Sequence, residues 1–224
     1  IRAANNEDLV VMTVGEKQNQ SGEAASRSNL DLPGVQKELI KEIHKTGKPV
    51  VVVVLAGRPL TIPWIAENIP AVVYAWHLGT YTSDALLSVL SGDHNPSAKL
   101  TVTFPQNVGQ IPIYYNTRNT GRPIAPDKKF TSKYLDVPNT PLYPFGFGLS
   151  YTNYEYSDLI TDKNQISFDD TIRIYVNVKN TGSVPGSEIV QLYVRDIVAS
   201  VTRPLKELKG FDKIHLEPGE SKKL

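Results

Sequence analysis

Three short runs rich in β-branched residues, at 8–14 (DLVVMTV), 50–55 (VVVVVL) and 71–75 (AVVYA), alternate with stretches of helical period. That alternation limits the first half of the chain to few folds. Short apolar runs of this kind read as strands buried on both faces. Between the first two lies QKELIKEIH (36–44), with Leu39, Ile40 and Ile43 on one helical stripe and Gly47 punctuating the end before Lys48 and Pro49. Strand, helix and strand in this order make a βαβ unit. Further helices are expected over 63–67 and over 83–90, where Leu86, Leu87 and Leu90 share a face, Thr82, Ser83 and Asp84 can cap the start, and Ser91-Gly92-Asp93 stops the end. The implied architecture is a mostly parallel α/β sandwich domain.

After Phe104 the sequence turns to Pro, Gly, Asn, Thr and Tyr, with no sustained period before Tyr151. A structureless stretch of this length inside one compact domain would be unusual, and its tyrosines and phenylalanines argue against disorder. It reads as an ordered strap over neighbouring surfaces. An aromatic strand is expected at 151–160. From Thr171 the period is two: TIRIYVNVKN alternates Ile172, Ile174, Val176 and Val178 with polar residues, SEIVQLYVRD alternates again, and a further run at 211–216 ends in Glu217-Pro218-Gly219-Glu220. Alternating strands with turn signals between them indicate an antiparallel β-sandwich of immunoglobulin-like type. Such a domain needs about seven strands, and Leu224 arrives early, so its last strands are expected to be missing. The chain thus divides into an α/β domain over 1–110, a strap over 111–150 and a C-terminally incomplete β-sandwich over 151–224.

The 224 residues carry 24 basic and 23 acidic side chains, a net charge of +1 with no long run of either sign. That balance leaves no electrostatic footprint for nucleic acid or a membrane surface. The longest apolar stretch, 49–56, is too short to cross a bilayer, and the first residues, Ile1-Arg2-Ala3-Ala4, lack a signal-peptide pattern. Opening on Ile1 without an initiator methionine suggests a piece of something longer. The absence of cysteine rules out disulfides and thiolate metal sites, and fits a reducing cytoplasm or a cysteine-poor periplasm equally.

Eight segments occur in order: VVMTVGE, SGEAASR, LDLPG, TGKPVVVVVLAGRPL, SGDHNPSAKLTVTFP, VGQIPIYYNTRNTGRP, LYPFGFGLSYT and RPLKELKGFDKIHLEPGE. Together they are similar, almost end to end, to family 3 glycoside hydrolases of the bacterial β-glucosidase type. The resemblance implies a parent with a TIM-type barrel, an α/β sandwich and a fibronectin type III-like domain, of which the barrel is absent here. It implies a retaining exo-acting β-glucosidase, a β-glucoside or oligosaccharide as substrate, the missing barrel of the same chain as partner, and a periplasmic or secreted location in a bacterium. The family's nucleophile is a barrel aspartate, so no residue of this chain takes that role. No cofactor or metal is implied. Where relatives commonly show tryptophan followed by Gly-Thr-Glu-Gly-Gly, this chain has Trp76-His77-Leu78-Gly79-Thr80-Tyr81. That departure puts in doubt any ligand role for the turn.

A retaining glycosidase needs two carboxyl groups about 5 Å apart, one attacking the anomeric carbon and one protonating the leaving oxygen. Ligand sites in α/β sheets form beyond the carboxyl ends of strands, and the first strand ends in Val14-Gly15-Glu16 followed by a long polar loop over 17–29. Glu23, in Ser21-Gly22-Glu23-Ala24, is the preferred acid/base, because its setting before Arg27 resembles the family's acid/base loop. Glu16 is the alternative. It competes as proton donor, or fastens the loop through backbone N–H groups. Arg27 is read as an ion-pair partner that holds the loop.

The four histidines, His44, His77, His94 and His215, have no metal-ligand spacing and read as satisfied or solvated. Trp76 is a weak candidate for stacking on a sugar ring, with core packing the stronger reading; Trp64 is read as core. Tyr114, Tyr115, Arg118, Arg122, Lys133 and Tyr134 form an aromatic and basic set on the strap; the resemblance implies that this segment can approach the substrate side, while tyrosines that pin the strap are the simpler account. Gly57 and Gly92 read as turn residues, with no phosphate-loop pattern anywhere. The competing class is a non-catalytic carbohydrate- or protein-binding module. An upstream barrel of about 250 residues carrying an aspartate nucleophile discriminates the two.

Overall fold

A computed structural model describes residues 1–125 and 127–224. Strands β1 (Val10–Gly15), β2 (Val50–Leu55) and β3 (Ala71–Tyr74) form a parallel sheet in the order β1-β2-β3, with Val10 opposite Val50 and Val51 opposite Ala71. Helix α1 (Arg2–Asn5) precedes β1. Helix α2 (Gln36–His44) links β1 to β2, and α3 (Pro63–Asn68), with proline in its first turn, links β2 to β3. The carboxyl ends of the three strands therefore share one edge. The helix over 36–44 falls where its periodicity puts it, and Ile40 and Ile43 are buried while Leu39, on the margin of the stripe, is half exposed.

The expectation that all three strands are buried on both faces holds for β2 alone. Val52, Val53 and Val54 are at most 1% exposed because β2 has a neighbour on each side. Strand β1 is an edge strand. Met12 and Val14 face the core while Val11 is exposed, and β3 is half-buried throughout. The core joins β1 and β2 to Ile40, Ile43, Leu60, Ile62, Ile65 and Ile69. Full burial of a branched aliphatic such as Ile40 contributes about 2 kcal/mol.

Helix α4 (Thr82–Ser91) forms close to its expected span but buries no residue fully, and Leu87 and Leu90 are exposed. Its start differs from expectation: a 3-10 turn over Gly79–Tyr81 leads into it, and the Thr82 hydroxyl donates back to the Gly79 carbonyl at 2.6 Å.

Residues 1–87, 100–145 and 195–206 make up one compact unit. Within it, Phe104 is fully buried, and its backbone exchanges hydrogen bonds with the strap at Tyr143 and Leu142. Tyr115 stacks on Phe145 at 4.3 Å, and the Tyr134 hydroxyl donates to the Gly109 carbonyl at 3.2 Å.

The second unit comprises 88–99, 146–194 and 207–224. Strands β4 (Tyr154–Thr161), β5 (Ile174–Asn180) and β8 (Ser221–Lys223) pair antiparallel in that order, and β6 (Gly186–Val194) pairs antiparallel with β7 (Glu207–Leu216). Val178, Ile214 and Leu216 form its core. Asn180 is fully buried there and fully bonded: its amide donates to the Val184 and Leu216 carbonyls, and its oxygen accepts from Thr152 Oγ1 and the Gly182 N–H.

Candidate active site

Strand β1 ends at Gly15, whose φ of +140° favours glycine and where a Cβ would stand 1.8 Å from the Leu55 carbonyl oxygen. The Gln36 side chain closes the outer side of this residue, accepting from Gly15 N at 2.7 Å and donating to Gly15 O at 2.9 Å. The next residue, Glu16, donates its N–H to the Leu55 carbonyl and turns its side chain fully out of solvent. Two guanidiniums meet it. Arg27 reaches Oε1 at 2.6 Å, and Arg58 Nε lies 3.1 Å from Oε1 and 3.2 Å from Oε2. Both arginines continue to backbone carbonyls, Arg27 to Asp31 and Arg58 to Gln20 and Ala25. Glu16 is thus the root of a clamp along the whole loop, fastened through side-chain guanidiniums where backbone N–H groups had been the expected partners.

Glu23 lies at the tip of that loop. Gly22 (φ +108°) and Ala24 (φ +57°) flank it, and Ala25 N–H closes the turn on the Gly22 carbonyl at 3.3 Å. A non-glycine residue at positive φ costs about 1 kcal/mol, and such strain concentrates at functional sites. The Glu23 carboxylate is exposed, and among the described residues no hydrogen bond or ion pair engages it. A free carboxylate on a held loop can deliver and recover a proton, whereas one gripped by two guanidiniums is committed to structure.

The loops beyond β2 and β3 meet this one. Ser21 Oγ and His77 Nε2 are 3.3 Å apart, and a Cβ on Gly57 would stand 2.5 Å from the first and 2.9 Å from the second. Gly57 is therefore a close-approach residue as well as a turn residue. Trp76 has a φ of +53° and packs edge-on against Tyr74 and Phe104, at 4.8 and 5.7 Å between ring centroids. Its ring belongs to an aromatic cluster, the packing role set against sugar stacking in the sequence. Tyr74 bonds through its hydroxyl to the Arg58 carbonyl and the Leu60 N–H. Burial, reinforced by the nearby Glu16 charge, raises its pKa well above the ordinary tyrosine value.

His44 packs edge-on to Trp64, and His215 contacts Ser187 and Glu217. Among the described residues no group of three or more His, Asp or Glu side chains could hold a metal ion. A concavity of about 620 Å³ on the strap, lined by Arg122, Pro123, Ala125, Lys128, Phe130 and Thr131, includes neither glutamate. In the sequence Arg58 and Ser21 carried no role, and His77 read only as satisfied or solvated. Their signal was position: Arg58 and His77 stand just beyond the carboxyl ends of β2 and β3, the rule that had singled out the loop after β1.

Residues 1–151 match the glycosyl hydrolase family 3 C-terminal domain. The chain belongs to glycoside hydrolase family 3. Residues 188–224 of this family 3 chain match the fibronectin type III-like domain. The chain is 46% identical over 224 residues to a periplasmic β-glucosidase of Salmonella typhimurium, covering 99% of itself and 29% of that relative. It is 50% identical to a β-xylosidase of Formosa agariphila, covering 99% of itself and 30% of the relative. Among solved structures it superimposes on the β-glucosidase of Listeria innocua in complex with glucose with a TM-score of 0.94 and 42% identity, covering 100% of itself and 31% of that chain. The family 3 chain thus spans about 30% of the length of these relatives.

Proposed function

We propose that the chain is the acid/base-bearing part of a retaining, exo-acting β-glucosidase that removes terminal β-D-glucosyl residues from glucosides and oligosaccharides, with Glu23 as the proton donor. The observation that carries the assignment is the contrast between the two carboxylates: Glu16 is buried against Arg27 and Arg58, while Glu23 is exposed at the loop tip.

In the first step a carboxylate from the remainder of the protein attacks the anomeric carbon as Glu23 gives its proton to the glycosidic oxygen and the C–O bond breaks. In the second, Glu23 takes a proton from the water that attacks the same carbon and releases the nucleophile. Arg27, Arg58 and Glu16 hold the loop. A periplasmic or secreted location is supported by the Salmonella relative's name, and no helix among the described residues is long and apolar enough to cross a membrane.

The test is leaving-group dependence in the full-length protein. A dinitrophenolate departs almost unaided, whereas a sugar alcohol needs the proton. Glu23→Ala is expected to cripple hydrolysis of unactivated disaccharides far more than cleavage of dinitrophenyl glucoside, and added azide should restore turnover as a β-glycosyl azide. The same pattern in Glu16→Ala and its absence in Glu23→Ala would reverse the assignment. Because the Formosa relative is named a β-xylosidase, aryl β-xyloside is measured beside aryl β-glucoside.

A further inference from the structure

We propose that His77 is a positioning residue for the acid/base step, holding the tip of the Glu23 loop through Ser21. The inference rests on Glu23 being the proton donor. The two guanidiniums tie the loop down at Glu16, Gln20, Ala25 and Asp31, which brackets residues 21–24 without gripping them. Within that gap, Ser21 Oγ at 3.3 Å from His77 Nε2 is the one side-chain hydrogen bond to another loop among the described residues. Ser21 stands two residues before Glu23, so this contact limits how far the tip can swing.

Two features of the backbone are arranged around it. Gly57, two residues beyond β2, lies between the loops that follow β1 and β3, and any Cβ there would collide with both Ser21 Oγ and His77 Nε2. Trp76 accepts a positive φ while its ring is locked against Tyr74 and Phe104, and that turn brings the next residue, His77, to Ser21. Strain of this kind persists only where the surroundings hold it.

A proton donor displaced by about 1 Å loses up to roughly a hundredfold in rate, and one exposed contact supplies part of that placement. His77→Ala in the full-length enzyme is therefore expected to lower kcat/KM for an unactivated disaccharide about tenfold and for dinitrophenyl glucoside by less than about twofold. His77→Gln, whose amide reaches to where Nε2 stands, should recover most of the loss. Ser21→Ala should give the same loss, and adding it to His77→Ala should cost nothing further, because both break one contact. Equal losses on the two substrates, or additive effects of the two substitutions, would overturn the proposal. Glu23→Ala run in parallel separates the failures. If it shows leaving-group dependence and His77→Ala does not, the His77 assignment alone fails; if it shows none, the reading of Glu23 fails and the proposal with it.

Discussion

The Arg27 guanidinium donates to Glu16 Oε1 at 2.6 Å, and the carboxylate it grips is fully buried while Arg27 and Arg58 keep about a fifth of their side-chain surface in water. The asymmetry decides what a substitution does. Removing the acid strands two positive charges, each still bound to backbone carbonyls of the loop.

Glu16→Gln keeps the shape and removes the charge. Because the arginines retain some solvent, the expected loss is about 2 kcal/mol. It should appear as a lowered thermal midpoint of the full-length enzyme, with similar activity losses for good and poor leaving groups and no azide response. A midpoint unchanged from wild type would contradict the clamp.

Alkaline pH should weaken the fold through Tyr74. Burial is the chief cause of its raised pKa, the Glu16 charge adds to it, and the Leu60 N–H and Arg58 work against it. A group that holds its proton more tightly when folded contributes stability that is complete below its unfolded pKa, about 10 for tyrosine, and is lost as pH rises through the folded value. The thermal midpoint should hold level to about pH 9 and fall above about pH 10. Tyr74→Phe should make that fall shallower.

Asn180→Ala should be among the costlier single changes in the second unit. It removes the partner of the Val184 and Leu216 carbonyls, the Thr152 hydroxyl and the Gly182 N–H, and of these Leu216 and Thr152 are themselves buried. The expected cost is about 3 kcal/mol, read from the denaturant midpoint. Asn180→Asp should also destabilise, because a carboxylate cannot donate to two carbonyls.

The 224-residue chain by itself should not turn over an activated aryl glucoside. Retaining hydrolysis places a nucleophile and an acid on opposite faces of the sugar, and only the acid is proposed here. Clear release of phenolate by the purified chain would overturn that division of labour.

Helix α2 was legible to the residue because its apolar stripe and Gly47 both act locally. The burial of β1 and β3 was not, since a valine run looks the same on a central strand and on an edge, and only sheet order decides it. Glu16 and Glu23 were legible as a pair through the strand-end rule. What sets their surroundings apart is Arg58, which is 42 residues from Glu16 and pairs with it only once β1 and β2 align. His77 was read as satisfied or solvated for the same reason: its contact with Ser21 spans 56 residues, and no local pattern marks it.

The side-chain amide of Gln36 imitates one peptide unit of a fourth strand, offering Gly15 the donor and the acceptor that a neighbouring backbone would supply. Any segment that adds itself along the outer side of β1 must end its ladder before Gly15. The loop that carries Glu23 therefore opens beyond the last rung that strand addition along β1 could reach.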